Sequence, residues 1–279
     1  MLRLDILNQD QQVVIGKVDH DKLPAPFSVQ HETLCTLGIK DYVYQTGDQV
    51  RLKTDETGYF MVQLDETLAP SLIYLPQQEW LFKVPLAENL SRSSVETAFQ
   101  SHRHHLMIRK AYDFEIKQYQ NLSFNAHDQK QDSGAFLHAY ANVETRDDSV
   151  FFAKNAIDGK YANHSHGSYP FASWGINQQA DASLTIDFGR WVEIDQIALL
   201  FRADFPHDSY WESVTMLLSN GETLVFSTRK STDFQRLTFP TVKTKWVTLK
   251  KLEKSEDVSP FPALTQIEVF GKNIEEREI

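Results

Sequence analysis

Short runs of alternating or β-branched and aromatic residues dominate the first 88 positions: LRLDI, QVVIGKV, QVRLKT, YFMVQL, SLIYL and EWLFKVPL. A period of two puts neighbouring side chains on opposite faces, so each run predicts a strand with one face in a core. Turn residues separate them at TGD (46–48), DETG (55–58) and DETLAP (65–70), and Pro85 marks a strand end or an edge. Residues 89–101, NLSRSSVETAFQS, predict a short helix, with Ser93 and Glu96 at capping-box spacing. HHLMIRKAY (104–112) reads as a strand returning to this first domain. YDFEIKQYQ (112–120) reads as a helical connector with Tyr112, Ile116 and Tyr119 on one face. From Asn121 seven more strands follow at near-regular spacing: ASLTIDFG, EIDQIALLFR, ESVTMLLSNG, TLVFST, QRLTFP, KWVTLKKL and TQIEVFG. That regularity indicates an all-β sandwich. The predicted fold is all-β: two β-sandwich domains over 1–112 and 121–274, joined by a short helical connector at 113–120. In the second, Leu184, Ile186, Phe188, Ile194, Ile197, Leu199, Val247, Leu249, Ile267 and Val269 are expected inside.

Composition narrows the function classes. The 279 residues carry 28 Lys+Arg against 38 Asp+Glu, a net charge of −10, and no long basic run. A nucleic-acid binder needs a concentrated positive face, so nucleic acid is not the expected partner, and the same charge disfavours anionic membranes. MLRLDILNQDQQ has no apolar stretch of signal-peptide length and no run of about 18 apolar residues occurs. No membrane span and a cytoplasmic location are the expectations. The single cysteine, Cys35, allows no intrachain disulfide and reads as packed rather than reactive. Aromatic residues make up 12% of the chain, which suits β-rich cores and sugar- or partner-binding surfaces.

Four motifs in order carry a resemblance. NLSFN opens the second half; FFAKNAIDG (151–159) holds an Ala-x-Asp-Gly turn; LTIDFGRWVEIDQIAL (184–199) is a strand pair around Asp-x-Gly; ALTQIEVFG (263–271) closes it. Together they resemble the galactose-binding-like jelly roll of the discoidin and coagulation-factor C-type domains, which includes many bacterial carbohydrate-binding modules. HAYANVETRDD, NAIDG, SWGIN and FRADFPHDSYW in combination are also similar to a bacterial two-domain group with this fold. The resemblance covers about residues 121–272; the first half resembles no family. It implies noncatalytic carbohydrate binding through loops at one end of the sandwich. It also implies a structural calcium beside the Asp-Gly turn, held by Asp158 and Glu268, since a hard cation takes oxygen ligands. The sequence departs from the family pattern at Trp174, which lies 16 residues past Asp158 instead of a few.

That departure is the stretch NAIDGKYANHSHGSYPFASWGIN (155–177), with two histidines and four rings but almost no aliphatic residue. Five segments are expected to converge at the loop end: 142–148, 163–174, 201–211, the turn 219–221, and 255–262. Sugars need flat rings for their C–H faces and planar polar groups for their hydroxyls. The candidate ligand residues are Arg146, His164, His166, Trp174, Arg202, Asp204, His207, Asp208 and Trp211. The plainer alternatives are that Arg202 and Asp204 pair with Glu144, Arg146 or Asp147 to hold the loops, and that both tryptophans pack in a core. His164, His166 and His207 also invite a transition metal, yet zinc needs three or four ligands in tetrahedral reach and H-x-H is a weak signal.

There is no nucleophile elbow, P-loop, GxGxxG after a strand or HExxH, and no organic cofactor is expected. Asp204, His207 and Asp208 form an acid/base trio only if a cleft holds them. The leading expectation is therefore a noncatalytic binder of carbohydrate or a related polar small molecule. An enzyme acting on a sugar in the same cleft and an intracellular protein-binding scaffold stand as alternatives.

Overall fold

Leu2, Leu4 and Ile6 alternate along the first strand and face Val50 and Leu52 of its neighbour, all of them buried. The computed structural model describes residues 1–18, 23–161, 169–203 and 209–274, with every side chain among them except that of Glu88. The chain divides into two compact units: Met1–Tyr112 with residues 132–135, and Asp113–Gln131 with Phe136–Ile279.

The first unit contains β1 (Leu2–Leu7), β2 (Ile15–Gly16), β3 (Ala25–Pro26), β4 (Ser28–His31), β5 (Leu34–Ile39), β6 (Gln49–Thr54), β7 (Gly58–Gln63), β8 (Ser71–Leu75), β9 (Glu79–Lys83) and β10 (His104–Lys110). Two antiparallel four-stranded sheets, β4-β1-β6-β9 and β5-β10-β7-β8, enclose one core that includes Phe27, Phe60, Trp80 and Phe82. Cys35 is buried in that core, and burial pushes its thiol up, so it is packed as the sequence suggested. Three local expectations fail. QVVIGKV forms a strand only at Ile15–Gly16, with isolated bridges from Val13 to Leu7 and from Lys17 to Asp41. The 89–101 helix shrinks to α1 (Glu88–Ser91). Phe99 there adopts a φ of 59°, and its N–H donates to Asp65 Oδ2 at 2.9 Å, a tertiary bond incompatible with a continuing helix. The connector helix α2 spans only Asp113–Lys117, and Tyr112 and Tyr119 are exposed.

The second unit contains β11 (Gln120–Asn121), β12 (His138–Ala141), β13 (Trp174–Gly175), β14 (Leu184–Phe201), β15 (Trp211–Leu218), β16 (Thr223–Ser227), β17 (Gln235–Lys254) and β18 (Ala263–Asn273). All pair antiparallel in the order β11-β18-β14-β17-β15-β16, with β12 on β14 and β13 on β18. The four strands expected around Gly189 and Pro240 are two continuous ones. β14 runs through Gly189 by shifting register between Asp187 and Val192, so the glycine marks a bulge and not a chain reversal. All ten residues expected inside are buried, in one core cluster. Three 3₁₀ turns, Thr145–Asp147, Ser149–Phe151 and Ala153–Ile157, connect β12 toward β13, and the last packs on β12 and β18. Among the described residues no helix is long and apolar enough to cross a membrane.

The second core also sets an acid limit. His127 is buried, and burial alone pushes its imidazole down to about 3. An unfolded histidine takes a proton below about pH 6.5, and the folded one does not until about pH 3. The unfolded state therefore gains protons first, and stability falls with pH through that window by about 1.4 kcal/mol per unit. Neighbouring Asp128, which accepts from His138 Nδ1 and Ala139 N at 2.8 Å, is pushed up by burial and contributes the opposite sign, losing stability as pH rises. Urea unfolding of the wild type and His127→Asn at pH 7 and pH 4.5 separates the two. The variant should lose about 2–3 kcal/mol less on acidification. Equal losses in both proteins would refute the role given to His127.

Candidate functional site

Four loop segments of the second unit meet around a cleft of about 430 Å³. Thr145, Arg146 and Phe151 come from the 3₁₀ turns; Gly175, Ile176, Asn177 and Gln178 follow β13; Arg202 ends β14; Phe261, Pro262 and Ala263 lead into β18. Backbone bonds tie these pieces together. Ser173 N donates to Val150 O at 2.9 Å, and Arg202 N donates to Ala263 O at 2.9 Å. Asn177 N donates to Thr145 Oγ1 at 2.9 Å, and the buried Asn155 amide donates to Ser149 O at 2.8 Å and Ser173 O at 3.3 Å. Gly175 permits the close approach: a Cβ there would lie 2.8 Å from Thr145 Oγ1 and 2.9 Å from the Phe151 ring.

The backbone of this cleft is strained. Arg146, Asp147, Asn177 and Gln178 have φ values of 56°, 53°, 49° and 60°. Left-handed backbone costs a non-glycine residue about 1 kcal/mol and persists where the surroundings impose it, a pattern concentrated at functional sites. Here it aims Arg146, Asn177 and Gln178 at one cavity. The Arg146 guanidinium lies 5.6 Å from the centre of the Phe151 ring. Arg202 is 5% exposed, and its Nη1 donates to Phe171 O at 2.8 Å, which fixes the plane of the fork. Lys130 pairs with Glu144 at 3.3 Å and with Asp147, two of the three carboxylates within two residues of Arg146. Among the described residues no aspartate or glutamate lines the cleft.

Arg146 and Arg202 both line the cleft, and Trp174 and Trp211 are not among its lining residues. Trp174 and Trp211 are 0% and 1% exposed, lie 6.1 Å apart by ring centroid and belong to the core cluster. Trp174 Nε1 donates to Val143 O at 3.0 Å, so its polar edge is used to anchor a loop. The rings that do line the cleft are Phe151 and Phe261, and Phe261 is 41% exposed. The 219–221 turn does not line this cleft; Asn220 lies by a separate concavity with Trp191 and Glu222. His164, His166, Asp204, His207 and Asp208 lie outside the described residues. Asn177, Gln178 and the two phenylalanines carry no sequence signal of their own, though Phe261 sits in a segment expected at this end.

Asp158 and Glu268 each have protein partners. Asp158 Oδ1 accepts from Gln266 Nε2 at 2.8 Å and from Lys160 N at 3.0 Å, while Lys160 Nζ stands 3.6 Å from Oδ2. Burial pushes the Asp158 carboxyl above its ordinary range, and the Lys160 and Lys154 charges pull the other way. Glu268 instead accepts from Tyr161, and burial raises its carboxyl as well. N–H donors and ammonium groups facing Asp158 do not fit a hard cation, which wants oxygen donors alone. Among the described residues no group of three or more His, Cys, Asp or Glu is placed to hold a metal.

No protein-family model and no curated protein matches the chain. Solved structures similar to it are carbohydrate-binding modules of the galactose-binding-like fold. One is the family 32 module of NanJ from C. perfringens in complex with galactose: 17% identity, 48% of this chain, 93% of that chain, TM-score 0.38. A second is chitosan-binding module 1 of a chitosanase/glucanase from Paenibacillus sp. IK-5: 19% identity, 54% and 98% coverage, TM-score 0.37. A third is the lectin domain of lectinolysin complexed with Lewis B antigen: 16% identity, 55% and 96% coverage, TM-score 0.41. Each match covers about half of this chain and nearly all of the neighbour.

Proposed function

We propose that the second unit binds carbohydrate, without catalysis, in the cleft bounded by residues 145–151, 175–178, 202 and 261–263. The observation that carries this reading is the pairing of two ring surfaces, Phe151 and Phe261, with the planar polar groups of Arg146, Asn177, Gln178 and Arg202 around one cavity. A pyranose presents an apolar C–H face and a ring of hydroxyls, and this lining supplies a partner for each. The cavity volume suits one or two sugar rings, since small-molecule sites run from about 300 to 1,000 Å³.

A glycan array with the full chain, followed by calorimetry on the best ligand, tests the reading. Phe261→Ala should weaken binding about tenfold, the loss of one stacking contact worth about 1–1.5 kcal/mol. Its melting temperature should barely move, because the ring is substantially exposed. The bound sugar should be recovered intact. Absence of any glycan signal, or unchanged affinity in Phe261→Ala, would overturn the assignment.

A further inference from the structure

We infer that β16, the edge strand of the second unit's sheet, pairs antiparallel with the β16 of a second copy of this chain, about a two-fold axis at Val225. β16 closes the strand order at one end, with β15 as its neighbour. Leu218 N donates to Glu222 O and Thr228 N to Glu212 O, each at 2.9 Å, at the two ends of the β15–β16 ladder. Bonded pairs alternate along an antiparallel ladder, so Leu224 and Phe226 also turn their backbone groups toward β15. Thr223, Val225 and Ser227 turn theirs outward, where no partner meets them among the described residues. Such an edge is a template for another strand, and chains that stay single guard it. β8 and β9, edge strands of the first unit, are guarded: Pro70 and Pro76 bracket β8, and β9 carries Glu79 and Lys83. β16 reads Thr-Leu-Val-Phe-Ser, with no charge and no proline, and Val225 is 67% exposed.

Symmetry chooses the occupant. With the axis at Val225, that residue faces its own counterpart and Thr223 faces the Ser227 of the copy. Every outward N–H and C=O on each strand then meets its complement. Leu224 lies beside the copy's Phe226, and both side chains already pack against the core cluster, so the apolar face continues across the join. The charges match as well. Glu222 precedes the strand and Arg229 follows it, both exposed. An antiparallel copy sets each acid near the other's arginine, whereas a parallel copy would set like against like. The pairing consumes both edges, so assembly stops at two copies.

Sedimentation velocity on the full chain tests the pairing. Between about 1 and about 200 µM the wild type should shift reversibly from 32.2 kDa to twice that mass, as a small interface associates weakly. Val225→Pro removes the central outward N–H and no bond to β15, and an edge strand tolerates proline where its nitrogen faces solvent. It should stay monomeric across that range and melt within a few degrees of wild type. Should it fold poorly, Val225→Lys, which sets two ammonium groups face to face on the axis, should give the same monomer. Glu222→Arg and Arg229→Glu should each weaken association about tenfold, since each change touches two contacts in a symmetric dimer, and the double variant should restore it. A wild type that stays monomeric at every concentration overturns the inference and leaves the edge to another strand-forming partner. A dimer that survives both Val225 variants overturns it too, because the contact then lies on a different surface. So does a double variant no better than its single parents, which rules out this antiparallel register.

Discussion

Gly271→Ala is expected to destabilise the second unit by more than about 4 kcal/mol, lowering its melting temperature by about 10 °C or more. Gly271 sits on β18 between two strands, opposite Gln120 of β11 and Ile194 of β14. A Cβ there would lie 1.9 Å from Glu193 O, 2.9 Å from Glu193 C and 2.9 Å from Ile194 Cα. Every one of those atoms is backbone, so no side chain can swing away to relieve the contact. β14 would have to retreat by about 1 Å in the middle of the sheet, and ordinary overpacking, at about 1–3 kcal/mol, does not move a central strand. Gly38→Ala is the control: it lies on β5 of the first unit and an added Cβ meets nothing within 4 Å. That variant should melt as the wild type does. A Gly271→Ala protein that also melts within a few degrees of wild type would show that β14 and β18 part at this point at little cost.

The same two strands show what the sequence could tell. Alternation along LTIDF, EIDQIAL and TQIEVFG identified the inward residues because a pleated strand leaves no choice of face. Turn signals were less faithful: Gly189 and Pro240 read as breaks, yet both lie within continuous strands, since a register shift accommodates what a two-strand reading treats as an end. The helix expected over 89–101 ends at Ser91, and further along Phe99 N–H is drawn into a long-range bond to Asp65 that local propensity cannot report. That Arg146 and Arg202 line one cleft was legible only as far as charged residues stand out in loops expected at one end. The rings were misassigned for a physical reason. An aromatic residue in an insertion looks exposed until its partners are known, and Trp174 finds them in the core and at Val143 O. The left-handed positions at Asn177 and Gln178 depend on the loop packed against them, which no local pattern encodes.

Gln266→Ala is expected to cost about 3–4 kcal/mol, while chelator and added calcium leave the melting temperature unchanged. The two results have one cause. Gln266 is 3% exposed on β18 and reaches the Asp-Gly turn with both ends of its amide. Its Nε2 donates to Asn155 O at 2.7 Å and to Asp158 Oδ1 at 2.8 Å, and its Oε1 accepts from Gly159 N at 3.1 Å. Alanine removes three bonds at about 1 kcal/mol each, strands Asn155 O and Gly159 N away from water, and leaves a cavity. The work a cation does in such a turn is to gather carbonyl and carboxylate oxygens. Here the Gln266 amide and the charges of Lys160 and Lys154 gather them. A ligand stabilises only by binding the native state, and an Asp158 that already faces N–H and ammonium donors is expected to leave calcium nothing to add. Gln266→Glu sharpens the test. An ionised glutamate has no hydrogen to donate to Asn155 O and repels Asp158, whereas the protonated acid restores one donor. Its folded-state pKa should therefore lie above the ordinary glutamate value. Part of its stability should be present at low pH and lost as pH rises through that value, opposite in sign to the His127 effect. A rise in melting temperature on adding millimolar calcium to the wild type, or a Gln266→Ala variant as stable as the parent, would show that the turn is held by something other than this amide.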